Sequence, residues 1–137
     1  KKDIERFEAE SLKLVKERLK NERIVIRDIN LIFETTELPQ AKVKDLAFQL
    51  KGEYDKVVLV LGGVYGGKPH LTIMISDALV KEYGLHAGQI VREAAQEIKG
   101  GGGGQPFFAT AGGSDPDGVD NAIAFAERLI KHKLNIG

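Results

Sequence analysis

The spacing of apolar residues divides the first half of the chain into two helices and two strands. Residues 1–20 carry apolar side chains at mixed three- and four-residue intervals, which is typical of a helix. Residues 24–33 are β-branched or apolar and predict a strand. Residues 39–51 predict a helix that ends at Gly52, and the continuous apolar run at 56–61 predicts a strand covered on both faces. The apolar positions of the first helix are Ile4, Phe7, Leu12, Leu14, Val15 and Leu19, and those of the second are Val43, Leu46, Ala47 and Leu50.

The second half alternates between strands and helices separated by glycines. It is predicted to begin with a hairpin loop (62–68), a strand (70–76) and a short helix (77–83). A longer helix (86–99), a strand (107–111) and a final helix (116–132) follow. Gly84 ends the short helix, and Asp115 with Pro116 forms the start signal of the last one. Together these elements predict an α+β fold, with an N-terminal helix (1–20) followed by a compact mixed β-sheet domain with helices (21–137). The first helix is expected either to connect domains or to pair between chains.

One stretch follows neither the helical nor the strand periodicity of apolar residues: KGGGGGQPFFATAGGSDP at residues 99–116. Five consecutive glycines at 100–104 separate the longer helix from a short aromatic strand, and Gly112 with Gly113 leads into the last helix. Backbone amides without side chains, next to a helix N-terminus, form a surface that accepts phosphate. We therefore interpret residues 100–104 as a binding loop, the alternative being a flexible spacer.

Composition excludes several classes of function. The chain of 137 residues has 42% hydrophobic and 29% charged residues, which is ordinary for one globular domain. Lys plus Arg and Asp plus Glu are equal at 20 each, so any contact with a polyanion must come from a few placed cations. The absence of Cys excludes disulfides and thiolate metal sites, and the three His lack the spacing of metal ligands. No apolar run is long enough to span a membrane. Because the chain does not begin with Met, we expect a fragment of a longer protein. Since no signal peptide is visible, we expect this protein to be cytoplasmic.

The segment GGVYGGK at residues 62–68 fits the spacing of a phosphate loop. Such a loop needs a Ser or Thr after the Lys and then a helix N-terminus. Here Pro69 follows Lys68, and a strand is predicted next. We therefore interpret the segment as a flexible hairpin loop, from which Tyr65 and Lys68 remain able to reach a ligand.

No catalytic pair emerges from the remaining polar residues. Ser76 with Asp77, and Asp115 with Asp117, are explained by helix starts, where such residues are favoured. Lys99 and Arg92 lie on the helix that leads into the glycine run, and they are the best-placed cations for a phosphate backbone.

The order GGGGGQP, apolar segment, AGG and helix resembles the DHH-associated domain family. Members of that family form the C-terminal domain of alanyl-tRNA synthetases and the substrate-binding half of DHH-family phosphoesterases. The whole order of elements is similar to the C-terminal domain of alanyl-tRNA synthetase, including the leading helix. The phosphoesterase loop resembles G-G-G-H, whereas this chain has Gly103 and Gly104 there with no His following. The DHH catalytic half, the class II aminoacylation motifs and the zinc-binding editing residues have no counterpart in this sequence.

The resemblance implies a non-catalytic, tRNA-binding module of an alanine–tRNA ligase. In that family the domain contacts the outer corner of tRNA(Ala) and helps link the aminoacylation and editing modules of the parent enzyme. The parent would use ATP, magnesium and zinc, while the fragment itself would hold no cofactor and no metal. The alternatives are a phosphoesterase substrate-binding half and a pure dimerisation module that forms a homodimer through residues 1–20. The contact residues carried over from the resemblance, together with the flanking cations, are Lys68, Arg92, Lys99, Gly100, Gly101, Gly102, Gly103, Gly104 and Gln105.

Overall fold

The computed structural model describes the backbone of residues 2–136 and the side chains of residues 12–136. Within this part the chain forms five α-helices and six β-strands, and none of these helices is long and apolar enough to cross a bilayer. The helices are α1 (Lys2–Glu22), α2 (Gln40–Glu53), α3 (Asp77–Tyr83), α4 (Ala87–Ala94) and α5 (Val119–Lys133). The strands are β1 (Ile24–Ile26), β2 (Ile29–Thr36), β3 (Val57–Tyr65), β4 (Lys68–Ile75), β5 (Gly101–Gly104) and β6 (Phe108–Gly112). Two 3₁₀ turns, Ala95–Ile98 and Pro116–Gly118, follow α4 and precede α5.

The strands form one six-stranded sheet in the order β1-β2-β3-β4-β6-β5. Strands β2 and β3 are parallel, because α2 provides the crossover between them, and the other neighbours are antiparallel. The sheet is therefore mixed, as the sequence predicts. Its last strand, β5, pairs only with β6 and leaves its outer edge open.

A separate hydrophobic core lies on each face of the sheet. Neighbouring residues on a strand point to opposite faces, so Leu31 packs into one core and Ile32 into the other. Helices α4 and α5 cover the first face, and α1 and α2 cover the second. The predicted stripe of α2 is confirmed, since Val43, Leu46, Ala47 and Leu50 are all fully buried.

The second half of α1 packs onto the domain. Leu19 is fully buried against α2 and the sheet, whereas Leu14 is 71% exposed. Lys16 and Lys20 both form ion pairs with Glu53 of α2, the latter at 2.6 Å, and their hydrogen bonds lower the pKa of that carboxyl. The predicted apolar positions Ile4 and Phe7 lie outside the residues whose side chains are described.

The predicted single strand at 24–33 is wrong in one respect, because it is a hairpin. Arg27 and Asp28 adopt left-handed backbone conformations, with φ of 52° and 68°, and turn β1 back onto β2. Left-handed φ at both central residues is the geometry of a two-residue hairpin turn. Neither residue is Gly or Asn, so the sequence carried only a weak turn signal.

Two predicted helix ends are also wrong. Gly52 does not stop α2, which continues to Glu53 and ends where Tyr54 N donates to Leu50 O at 3.2 Å. The longer helix predicted at 86–99 ends its α-helical part at Ala94 and tightens into the first 3₁₀ turn. This turn closes at Lys99, whose φ of 52° ends the helical path.

His70 on β4 is expected to make the fold sensitive to mild acid. Its side chain is only 5% exposed, Nε2 lies 3.2 Å from Leu38 O, and burial lowers the pKa of the ring below 6.5. The unfolded chain takes up this proton near its ordinary pKa and the folded chain only at lower pH, so the free energy of unfolding should fall as the pH drops below about 6.5. The melting temperatures of the unsubstituted chain and of His70→Gln near pH 7.5 and 5.5 check this. The melting temperature of the unsubstituted chain should fall further between these two pH values than that of His70→Gln. Equal losses would show that His70 is not responsible.

Candidate nucleic-acid interface

The glycine run is an edge strand of the sheet. Residues 101–104 form β5 and pair antiparallel with β6, from Gly101 opposite Gly112 to Gly104 opposite Ala109. The predicted loop at 100–104 is therefore wrong for these four residues. Because β5 has a neighbour on one side only, part of its backbone N–H and C=O groups face outward.

Alternate glycines of this run are needed because the strand lies very close to β6. An ideal Cβ at Gly102 would lie 2.5 Å from both Cα and Cβ of Ala111, and closer still to Thr110 O. A Cβ at Gly104 would lie 2.5 Å from Phe108 O. These contacts involve backbone atoms, which cannot move aside as a flexible side chain can. Glycine is therefore required at these positions by close approach.

The glycines between them are free of such contacts. A Cβ at Gly101 would have nothing within 4 Å, and a Cβ at Gly103 would lie 3.7 Å from Nη2 of Arg92. The guanidinium of Arg92, which extends from α4, thus lies over the middle of β5. The result is an exposed strand with no side chains of its own and a cation beside it.

Lys68 and Lys99 lie at the same end of the sheet. Gly112 of β6 pairs with His70 on one side and with Gly101 on the other. Each lysine precedes its paired residue by two positions, and β4 and β5 run in the same direction. Both lysines therefore extend beyond Gly112 at one end, on backbones about 10 Å apart.

Gln105 lies at the opposite end of β5 and closes the turn to β6. Its backbone N donates to Phe108 O at 2.8 Å, and its carbonyl accepts from Gly88 N at 3.2 Å. The side chain is exposed. The predicted site residues thus form a strip along β5, with the two lysines at one end, Arg92 in the middle and Gln105 at the other end.

The helix N-termini near this strip are already hydrogen-bonded within the chain. Ala87 N and Gly88 N of α4 donate to the carbonyls of Pro106 and Gln105, and Gln89 N donates to His86 Nδ1 at 3.1 Å. At the turn before α5, Asp117 N donates to the Asp115 carboxylate at 3.1 Å, which confirms the predicted cap. The interpretation that a helix N-terminus offers free amides to phosphate is therefore wrong for these groups.

His86 is a residue of this region that sequence reasoning missed. A Cβ on Gly88 would lie 3.0 Å from His86 Cε1 and 2.6 Å from Gly104 O, so the ring borders the end of β5. Since Nδ1 accepts from Gln89 N, the neutral ring carries its proton on Nε2 and keeps one donor. His86 and Gly104 are 18 residues apart along the chain, and no sequence signal indicates this contact.

 The contact arises because α4 packs across β5.

The segment GGVYGGK forms a tight hairpin rather than a long loop. Strand β3 continues to Tyr65 and β4 begins at Lys68, so only Gly66 and Gly67 lie in the turn, with φ of 60° and 79°. The interpretation of residues 62–68 as a flexible loop is therefore wrong. A strand follows the Lys, as predicted, and the helix N-terminus that a phosphate loop requires is not present at this point of the fold.

A groove of about 770 Å³ lies at the carboxyl ends of β2 and β3. Three carboxylates, those of Glu37, Asp117 and Asp120, are among its lining groups. The one cation in its lining, Arg18, donates to Thr35 O at 2.9 Å and lies 3.5 Å from the Glu34 carboxylate. This groove repels phosphate, so the β5 strip is the better anion site. Within the described residues, no cluster of three or more His, Asp or Glu side chains is arranged to hold a metal ion.

Comparison with known proteins gives a consistent result. The DHHA1 domain model matches residues 24–132. The chain is 47% identical over 131 residues to an alanine–tRNA ligase of Christiangramia forsetii, covering 96% of this chain and 15% of that protein. It is 49% identical over 124 residues to an alanine–tRNA ligase of Bacteroides fragilis, covering 90% of this chain and 14% of that protein. The chain thus spans about one seventh of the length of these relatives.

A solved structure supports the same comparison. The C-Ala domain of Aquifex aeolicus alanyl-tRNA synthetase superimposes with a TM-score of 0.67 at 26% identity, covering 82% of this chain and 97% of that one. The similarity therefore extends over nearly all of that domain.

Proposed function

Because the chain belongs to the DHHA1 domain family, we propose that it is the tRNA-binding C-terminal module of an alanine–tRNA ligase. In this proposal the module contacts the outer corner of tRNA(Ala) and helps link the aminoacylation and editing modules of the parent enzyme. The parent's use of ATP, magnesium and zinc, and its place in the cytoplasm, belong to the same proposal. The relatives' names and the similarity to the C-Ala domain support it.

The observation that carries the proposal is the side-chain-free edge of β5 with cations beside it. An RNA backbone can approach this strand closely, because Gly101 presents no side chain and Gly103 is covered only by the guanidinium of Arg92. Outward-facing amides and the 2′-hydroxyls of RNA are complementary hydrogen-bonding groups. Lys68 and Lys99 are exposed at one end of the strip, where they can neutralise phosphates.

The charge of the chain indicates a modest, accessory contact. A formal net charge of zero gives no long-range attraction to RNA. Three cations along the strip can neutralise only a few phosphates, so we expect binding that is weak alone and useful when other modules hold the same tRNA.

The phosphoesterase alternative receives less support from the residues. His70 is buried beneath the sheet surface, and Gln105 follows Gly104 where the phosphoesterase loop has its His. His86 borders Gly104 but already caps α4 through Nδ1. Selective binding of a mononucleotide in preference to tRNA would favour this alternative.

The dimerisation alternative has one observation in its favour. Leu14 of α1 is 71% exposed, whereas the next residue, Val15, packs against the domain. Sedimentation of the unsubstituted 137-residue chain at two concentrations would reveal a dimer, independently of any tRNA measurement.

Replacing Lys99 with alanine should weaken tRNA binding in a salt-dependent way. Loss of one phosphate contact should reduce the slope of log affinity against log salt concentration by about one unit. The measurement is a tRNA(Ala) titration at several salt concentrations. Lys81→Ala, at an exposed lysine of α3, is the matched control and should keep the parent slope. Identical slopes for the parent and Lys99→Ala would remove Lys99 from the interface.

A further inference from the structure

We infer that the β3–β4 hairpin tip is a second tRNA contact, in which the ring of Tyr65 stacks on an unpaired nucleobase and Lys68 lies beside its phosphate. This inference rests on the proposed tRNA-binding function and extends it from backbone contact to base contact.

The tip is rigid enough to present an aromatic ring. Strands β3 and β4 are paired along their whole length, up to Tyr65 directly opposite Lys68. Left-handed φ at Gly66 and Gly67 gives a two-residue turn whose twist matches that of the flanking strands. The ring is therefore held at the end of a regular ladder, so little conformational entropy is lost when it binds.

The ring of Tyr65 is not among the residues that form the two hydrophobic cores. Tyr65 is 54% exposed, and among residues 12–136 its ring has no aromatic neighbour. The other strongly exposed aromatic residue, Phe48, differs because it already packs on Phe108 with ring centroids 4.9 Å apart. An exposed aromatic side chain that contributes little to the core is available for a partner.

The surroundings of the tip select an RNA base as that partner. Tyr65 and Lys68 form a cross-strand pair and so point to the same face of the hairpin. Val64, the next residue along β3, points to the opposite face and lines the acidic groove. Within residues 12–136 Lys68 makes no ion pair, which leaves its ammonium group for a phosphate. Stacking on an aromatic ring is the usual way in which proteins read bases of RNA loops.

The position of the tip relative to β5 fits one RNA molecule. Lys68 and Lys99 extend from the same end of the sheet, on strands separated only by β6. A backbone that follows the β5 strip past Lys99 therefore reaches the hairpin tip next.

The test uses the fact that the chain contains no Trp. Tyr65→Trp would provide a single Trp at the tip, and its fluorescence should be quenched when tRNA(Ala) binds, because the indole stacks on a base. Phe48→Trp is the matched control at the other exposed aromatic position, and its emission should change little. Tyr65→Ala should lower tRNA affinity about tenfold, whereas Tyr65→Phe should bind like the parent. The melting temperatures should remain close to that of the parent.

Three outcomes would overturn the inference. Parent-like affinity of Tyr65→Ala, with a weakened Lys99→Ala, would remove the tip from the interface and leave the proposed function intact. Equal quenching of Tyr65→Trp and Phe48→Trp would indicate a general effect without stacking at the tip. Absence of tRNA binding by the parent chain would overturn both proposals together.

Discussion

Replacing Gly102 with valine should destabilise the fold by about 3 kcal/mol or more, as expected for severe overpacking. The new Cβ would lie 2.5 Å from Cα and Cβ of Ala111 and closer to Thr110 O, so β5 would have to move away from β6. For a domain of this size the melting temperature should fall by roughly 10 °C. Thermal unfolding followed by circular dichroism measures the change.

Gly101→Val is the control for this prediction, because it adds the same atoms one residue away. A Cβ at Gly101 meets nothing within 4 Å, and valine is favoured in strands. We expect a melting temperature close to that of the parent. If the two variants melted alike, β5 would not be packed against β6 as described. The contrast also means that Gly102→Val, although central in the glycine run, is unsuitable as a test of binding.

Gly101→Val should reduce tRNA affinity at least about fivefold, which corresponds to roughly 1 kcal/mol. The valine side chain would project into the open space beside β5, where we propose that the RNA backbone binds. Close backbone approach is lost even though every cation is retained. The salt dependence should therefore remain that of the parent, unlike the effect of Lys99→Ala.

Gly52→Val supplies the matched control for this second prediction. Gly52 is exposed in the last turn of α2, and a Cβ there would meet nothing within 4 Å. The substitution adds the same bulk away from β5, and valine is no worse than glycine in a helix. Its tRNA affinity should equal that of the parent, and a similar loss in both variants would indicate an effect unrelated to the strip.

The parts of the fold that the sequence predicted are those with a local cause. The apolar stripe of α2 follows from helical periodicity, and Gly84 ends α3 with a φ of 67°, the conformation that glycine adopts readily. The continuous apolar run that begins at Val57 indicated a strand between two helical layers. These signals reside in a few neighbouring residues, so they can be read without knowledge of the tertiary structure.

The glycine run could not be predicted in the same way. Glycine has a low intrinsic preference for strands, and residues 100–104 carry no apolar alternation. Strand β5 exists because β6 offers a backbone partner and because close approach excludes side chains at Gly102 and Gly104. Both causes lie in another segment of the chain.

The candidate site was predicted in composition but not in arrangement. The sequence indicated Lys99 beside the glycine run and placed Tyr65 and Lys68 in one flexible loop, whereas the tight turn that makes these two residues a cross-strand pair was not predicted. That Lys68 and Lys99 share one end of the sheet depends on Gly112, which pairs with both β4 and β5. Such a three-strand relation has no local sequence signal.

The most direct test is the titration of labelled tRNA(Ala) with the parent chain and with Gly101→Val at the same low salt concentration. We expect saturable binding by the unsubstituted chain and at least about fivefold weaker binding by Gly101→Val, with both proteins folded. Equal affinities for two folded proteins would contradict the claim that tRNA approaches the edge of β5.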